Sequence, residues 1–212
     1  METLRLEKLR ESLEGELRID TLSKALYATD ASVYRKTPLG VAFPKGTSDI
    51  KKLILFAQEN NIGLIPRTAG TSLAGQCVGD GLVVDVSVHL NQILSVDQEK
   101  MQVTVQPGVI RDELNTYLAP FGLFFGPNTS TANRCMIGGM VGNNSSGTTS
   151  IRYGVTREFT ASLKTVLSNG EEVEFKALTS DEFIAKTKLN SLEGSIYKNL
   201  YEELSNKETQ EE

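Results

Sequence analysis

Residues 65 to 76 read I-P-R-T-A-G-T-S-L-A-G-Q and stand between two apolar, strand-like runs, 62–65 and 82–86. A connection this rich in Gly, Ala, Ser and Thr has almost no side-chain area to bury, so hydrophobic packing does not explain it. What it offers is backbone. Gly70 and its small neighbours let successive N–H groups turn inward and approach a ligand closely, which is how an anion-binding nest is made. Thr71 and Ser72 add hydroxyl donors, and Arg67 adds a fixed positive charge. The stretch reads as a cradle for a diphosphate, against the plainer alternative of a polar strand connection. Two commoner phosphate motifs fail here. Gly70-x-x-x-x-Gly75 has P-loop spacing, but Gln76 and Cys77 stand where Lys and Ser/Thr are required. No G-x-G-x-x-G occurs, and Gly138-Gly139-x-x-Gly142 is only a near miss to the dinucleotide fingerprint.

Composition narrows the field of partners. With 22 Lys and Arg against 27 Asp and Glu, the 212-residue chain carries a net charge of −5, which argues against a broad nucleic-acid or anionic-membrane surface. No apolar run approaches the roughly 20 residues of a membrane span, and with no basic region followed by an apolar core in the first residues, no secretory signal is expected. Cys77 and Cys135 lack metal-ligand spacing and are expected as free thiols in a reducing cytoplasm. The single histidine, His89, leaves no basis for a His-rich metal site, and none is expected.

Leu6, Leu9, Leu13 and Leu17 recur at helical steps and predict one amphipathic helix through all four. Residues 27–34 read as polar and irregular, and 40–43 as a short extended run. Thr47 or Ser48 suits the N-cap of a helix carrying Ile50, Leu53, Ile54 and Ala57 and ending at Asn60-Asn61. A hairpin is expected over 93–97 and 101–106, with Met101, Val103 and Val105 on one core face. A helix over 109–119 follows, stopped by Pro120 and Gly122. A second hairpin, 162–167 with 171–175, turns on Ser168-Asn169-Gly170, where Asn-Gly suits a type I′ turn. Thr179 to Glu182 is a capping box for a helix containing Phe183, Ile184 and Leu189. Residues 206–212 have nothing to bury and read as a frayed acidic tail.

A second glycine-rich stretch, residues 127–147, is denser still in small and amide side chains. Ile137, Met140 and Val141 predict the buried side of a short helix, while Gly138 and Gly139 permit close approach by a flat group or a backbone. Asn143, Asn144, Ser145 and Ser146 supply donors and acceptors with little bulk, which suits the polar edges of a planar heterocycle. The plainer alternative is a buried turn with Asn and Gly in left-handed conformations. Two such stretches, each beside strands, point to one extended ligand with a diphosphate and a heterocycle.

At this point a resemblance becomes specific. P-R-T-A-G-T-S-L-A-G-Q, V-V-D-V-S, Q-P-G-V, I-G-G-M-V-G-N-N-S-S-G and the following R-Y-G resemble the FAD-binding domain of the vanillyl-alcohol oxidase/p-cresol methylhydroxylase (PCMH) type. The branch they most resemble is that of glycolate oxidase and D-lactate dehydrogenase, flavoenzymes of D-2-hydroxy acids. The match runs from about Tyr27 to about Phe175. It implies an α+β, two-lobed domain, with lobes at about 20–98 and 99–205 and FAD as cofactor. It also implies cofactor contacts at Pro66, Arg67, Thr68, Ala69, Gly70, Thr71, Ser72 and Gln76 around the pyrophosphate. In the second stretch the implied contacts are Pro127, Ser130, Thr131, Cys135, Gly138, Gly139, Asn143, Ser146 and Gly147, toward pyrophosphate and isoalloxazine.

Two departures from the family pattern shape the expectation. Members that attach flavin covalently through the first loop carry a histidine where Thr71 stands, so non-covalent FAD is expected. The family also continues into a cap domain that binds a small-molecule substrate. No cluster of His or Arg in these 212 residues replaces it, so the chain is expected to be the flavin-binding portion, with no catalytic residue assigned. His89 is expected to be structural. An electron-acceptor protein is the implied partner. Two alternatives share the residues: a reductase resembling the UDP-sugar enolpyruvyl reductases, and a non-catalytic dinucleotide-binding module.

Overall fold

The computed structural model describes residues 2–205, with side-chain surroundings from Leu4 onward; the expected tail at 206–212 lies outside the described residues. The chain divides into two compact units at Thr160 and Ala161. The first is built on a four-stranded sheet. Strand β1 (Glu16–Arg18) is antiparallel to β2 (Gly40–Phe43), while β2, β3 (Leu64–Arg67) and β4 (Leu82–Asp85) are parallel, in the spatial order β1-β2-β4-β3.

Side chains alternate across a strand, and the two faces of this sheet bury different partners. Leu17, Ala42, Leu82 and Val84 pack with Leu6 and Leu9 of α1 (Glu2–Ser12) and with Leu53 of α3 (Thr47–Asn60). Val41, Phe43 and Val83 face the other way, where Tyr27 and Ile65 cover them. Arg67 and Asp85 close β3 and β4 two residues beyond Ile65 and Val83, so they lie on the Tyr27 face. The residues that matter below therefore sit at the carboxyl ends of parallel strands, where open α/β sheets bind ligands.

The leucine stripe does not make one helix. α1 stops at Ser12, and Leu17 belongs to β1, although both segments fill the same core. Asp49 causes the break. Its carboxylate accepts the N–H groups of Glu14 at 2.9 Å, Gly15 at 2.9 Å and Lys45 at 3.0 Å, which folds the chain back into antiparallel register with β2. Any side chain at Gly15 would collide with the Phe43 carbonyl oxygen. The same reach to Lys45 replaces the expected cap: α3 starts after Gly46, with Thr47 already helical, and ends as expected at Asn61, in the left-handed conformation. A short helix absent from the sequence reading, α2 (Thr21–Leu26), is capped by Asp20, whose carboxylate accepts from Ser23 N and Oγ.

Beyond the sheet, β5 (Ile93–Asp97) and β6 (Gln102–Val105) form the expected hairpin. Met101 is not on its core face. It sits in the turn with φ 52° and is 74% exposed, whereas Val103 and Val105 pack against Leu114 and Leu118 of α4 (Arg111–Leu118). A 3-10 turn at Ala119–Phe121 and Gly122 (φ 69°) end that helix. The second glycine-rich stretch contains the expected short helix, α5 (Ile137–Gly142), with Met140 buried, and leads into α6 (Ser150–Tyr153).

The second unit pairs β7 (Ser162–Val166) with β8 (Glu172–Lys176). Its turn differs from the expected type I′, because only Gly170 (φ 83°) is left-handed and Asn169 is not. Gly170 N donates to Leu167 O and Leu167 N to Glu171 O, giving the three-residue loop that ends in a left-handed glycine. The Thr179/Glu182 capping box starts α7 (Ser180–Lys186) as expected, but the helix ends before Leu189. α8 (Leu192–Leu204) follows, capped by Ser191, and stacks Tyr197 edge-on against Phe183 at 5.4 Å.

Candidate functional site

The first loop leaves β3 at Arg67. Pro66 is exposed on that edge strand, where its missing N–H breaks no ladder. Beyond it, among the described residues, the N–H groups of Thr68, Ala69, Gly70, Thr71, Ser72 and Leu73 donate to nothing in the protein. A run of unpaired donors bent at a left-handed glycine, here Gly70 (φ 65°), is the backbone arrangement that an anion nest requires. Arg67 lies over the ring of Tyr27 at 5.0 Å, donates from Nη1 to Thr29 O at 2.8 Å, and occupies the space a Cβ on Gly70 would need, 2.6 Å from its Nη2. A strap over residues 27–36 holds the loop from outside: Ala31 N donates to Gly70 O, and the Tyr34 ring packs on Gly75.

Cys77 at the loop's far end faces Asp30, with Sγ 3.8 Å from Oδ2. Burial pushes its thiol up, and Asp30 reinforces this against the pull of Arg67. Burial opposes ionisation of Asp30 itself, yet hydrogen bonds from Ser32 and the Cys77 backbone, with Arg67 nearby, hold its carboxyl below the usual range. Cys77 is therefore a protonated thiol at neutral pH and a poor nucleophile.

The second loop is fastened at several points. Arg111, at the start of α4, donates from Nε to Pro127 O at 3.1 Å and from Nη2 to Phe125 O at 3.3 Å, while Asn115 brackets Phe125 through both its N–H and its carbonyl. Cys135 is 4% exposed; its sulfur accepts from Thr129 Oγ1 and contacts Met140 Sδ, while Thr131 Oγ1 meets Thr129 Oγ1 at 3.2 Å. Gly138 is pressed against Pro107, so a neighbouring backbone uses its missing side chain. Gly139 is exposed, and a Cβ there would stand 2.5 Å from Thr68 Oγ1 of the first loop. In α5 the N–H groups of Ile137 and Gly138 go to Val109 O and Pro107 O, leaving that of Gly139 unpaired. Gly147 backs onto the Asn128 carbonyl, and Ser130 and Ser146 are exposed. Farther on, buried Thr156 donates from Oγ1 to Ser145 O at 2.6 Å, and Asn144 takes the left-handed conformation.

One hydrogen-bonded chain joins the two loops. Ser72 Oγ donates to Gln76 Oε1 at 2.8 Å, Gln76 Nε2 to Asn143 Oδ1 at 2.9 Å, and Asn143 Nδ2 to Ser145 Oγ at 3.0 Å. The two loops thus meet at the Gln76–Asn143 hydrogen bond and at the close approach of Thr68 to Gly139. Sequence reasoning missed Tyr27, Asp85, Arg111, Asn115 and Thr156. Of these only Asp85 carried a signal, a carboxylate inside the apolar run V-V-D-V.

Polar atoms without partners test whether a polar ligand fits. Asn128 Oδ1 and Thr149 Oγ1, both in the second loop region, are buried with no hydrogen-bond partner among the described residues. With the unpaired N–H groups of 68–73 and Gly139 they offer donors for a diphosphate and acceptors for N–H or O–H groups. His89 Nε2 is likewise unpartnered, just after β4. Among the described residues no group of three His, Cys, Asp or Glu is placed to hold a metal ion, and no helix is long and apolar enough to cross a membrane.

Comparison with known proteins covers the segment that carries both loops. A family described as an FAD binding domain matches residues 38–176. D-2-hydroxyglutarate dehydrogenase of Pseudomonas putida is 40% identical over 172 residues, covering 79% of this chain and 17% of that protein. Glycolate oxidase subunit GlcD of Bacillus subtilis is 36% identical over 150 residues, covering 70% of this chain and 32% of that protein. The chain thus spans under a fifth of the length of the first relative and about a third of the second. A solved alkyldihydroxyacetonephosphate synthase superimposes with a TM-score of 0.74 over 86% of this chain and 37% of its own, at 21% identity, a likeness of fold.

Proposed function

Because the chain belongs to the FAD-binding domain family, we propose that it holds FAD non-covalently as the flavin-binding portion of an oxidoreductase acting on a D-2-hydroxy acid. The observation that carries this is the pair of glycine-rich loops with unpaired donors, tied together through Gln76 and Asn143. The cofactor's diphosphate fits the N–H groups of 68–73, with Arg67, Thr71 and Ser72 beside them. Pro66, Ala69 and Gln76 shape that loop. Pro127, Ser130, Thr131, Cys135, Gly138, Gly139, Asn143, Ser146 and Gly147 form the wall toward diphosphate and ring. With it go the lobes of about 20–98 and 99–205, and a cytoplasmic site of action, which the free thiols of Cys77 and Cys135 favour.

Bound FAD supplies an acceptor for the hydride leaving the hydroxyl-bearing carbon of the substrate. This chain's residues bind and orient that acceptor and match its charge. None of them is assigned as the acid/base group that takes the hydroxyl proton, and the small-molecule substrate and the electron-acceptor protein are met by other parts of the polypeptide. The substrate class rests on the relatives, whose names specify D-2-hydroxyglutarate and glycolate.

Gly139→Val tests the site. A side chain there meets Thr68 Oγ1 at the junction of the loops, so FAD binding is expected to fall at least tenfold while the far-ultraviolet circular dichroism is retained. Unchanged affinity would remove Gly139 from the site. For the bonding mode, trichloroacetic acid precipitation of the loaded chain should leave all the flavin in the supernatant. Colour in the pellet would refute non-covalent binding.

A further inference from the structure

Arg67 and Asp85 are partners in the parallel register of β3 and β4, on the same face of the sheet. An arginine and an aspartate so placed are within reach of a charge-assisted pair, and a carboxylate on the guanidinium would compete with an anionic ligand for its donors. Here no ion pair joins them among the described residues. Asp85 is 4% exposed, and its oxygens are satisfied elsewhere: Oδ1 accepts from Ser87 N at 2.8 Å and Ser87 Oγ at 2.6 Å, and Oδ2 accepts from Tyr27 OH at 2.7 Å. Arg67 meanwhile rests over the Tyr27 ring and donates to Thr29 O. Tyr27 thus does two things at once. Its hydroxyl occupies the carboxylate oxygen that would otherwise take the guanidinium, and its ring holds the guanidinium against Gly70.

We propose that Tyr27 is a positioning residue that insulates Arg67 from Asp85, so that the arginine's charge stays available to the diphosphate of the cofactor. The inference rests on the FAD reading above. Burial, and then the hydrogen bond to Asp85, hold the Tyr27 phenol well above its ordinary range, in keeping with the hydroxyl donating to Asp85 Oδ2 at 2.7 Å. The ring packs edge-on to Phe43 at 5.8 Å, which fixes its position on the sheet. Ser87 serves the other carboxylate oxygen, so loss of the tyrosine hydroxyl alone frees Asp85 Oδ2 for Arg67.

Four forms of the chain test this by FAD titration at low salt: wild type, Tyr27→Phe, Asp85→Asn, and the double variant. Tyr27→Phe keeps the ring and loses only the hydroxyl. It is expected to weaken FAD binding about tenfold, the size of one charge-assisted contact, and to flatten the dependence of affinity on salt. Asp85→Asn alone is expected to bind within about twofold of wild type, and in the double variant it should restore affinity, because asparagine cannot form the ion pair. A merely structural tyrosine would lower the melting temperature without changing the affinity of the folded fraction, or the double variant would bind worse than either single one. Either result overturns the proposal. A wild-type chain that binds no FAD would overturn the functional reading and this inference with it, whereas normal wild-type binding matched by Tyr27→Phe overturns this inference alone.

Discussion

At the scale of single residues, the site depends on groups whose own hydrogen bonds leave something over. Gln76 is exposed and supports no core, yet among the described residues it alone spans from Ser72 to Asn143. Gln76→Ala is therefore expected to change stability by less than about 0.5 kcal/mol, as for an ordinary surface substitution, while weakening FAD binding three- to tenfold. Calorimetric melting and flavin fluorescence titration would separate the two effects; equal losses in both would contradict the assignment. Cys77 makes the opposite kind of statement. Burial, then Asp30, raise its thiol, so alkylation in a Cys135→Ser background should need a more alkaline pH than a free cysteine does. A rate profile at or below that of free cysteine would contradict the burial of this thiol beside Asp30.

At the scale of elements, Asp49 decides where α1 ends and β1 begins. Burial works against its ionisation, but the N–H groups of Lys45, Glu14 and Gly15, with Lys52 nearby, hold its carboxyl below the usual range. A depressed carboxylate contributes stability that is complete above its unfolded value and is lost as pH falls through its folded value. Asp49→Asn should then cost about 2–3 kcal/mol at neutral pH, with the gap in melting temperature closing under strongly acidic conditions. A gap that is constant with pH would show that charge plays no part. The same element shows what the sequence could and could not convey. Leu6, Leu9, Leu13 and Leu17 are legible as core, since burial follows spacing. That Leu17 reaches the core from a strand was not legible, because the turn is set by a carboxylate more than thirty residues away. Asn169-Gly170 is a hairpin signal in any reading, but loop length decides the turn type, and three residues favour one left-handed glycine. The two glycine-rich loops were legible because small residues in such density bury little side-chain area of their own. Tyr27, Arg111 and Asn115 were not, since each acts through a contact distant in sequence on a residue that gives no sign of needing it.

At the scale of the whole molecule, charge is sorted along the chain. The net charge is −5, yet residues 114–157 contain Arg134, Arg152 and Arg157 and no Asp or Glu. The second glycine-rich loop lies inside this segment, and Arg67 sits in the first. An acidic protein whose second glycine-rich loop lies in a stretch of sequence that is cationic is suited to an anionic cofactor. Affinity for FAD is accordingly expected to fall as sodium chloride rises from about 0.05 to 0.5 M, where screening shortens to a few ångströms. Insensitivity to salt would mean that hydrogen bonding and stacking, not charge, hold the cofactor. The central claim, that these two loops form one FAD site, is tested most directly by the visible spectrum of the purified chain after incubation with excess FAD and removal of the unbound fraction. A retained flavin band, shifted from that of free FAD and present at close to one equivalent, is the predicted result; a folded protein that stays colourless under the same conditions would contradict it.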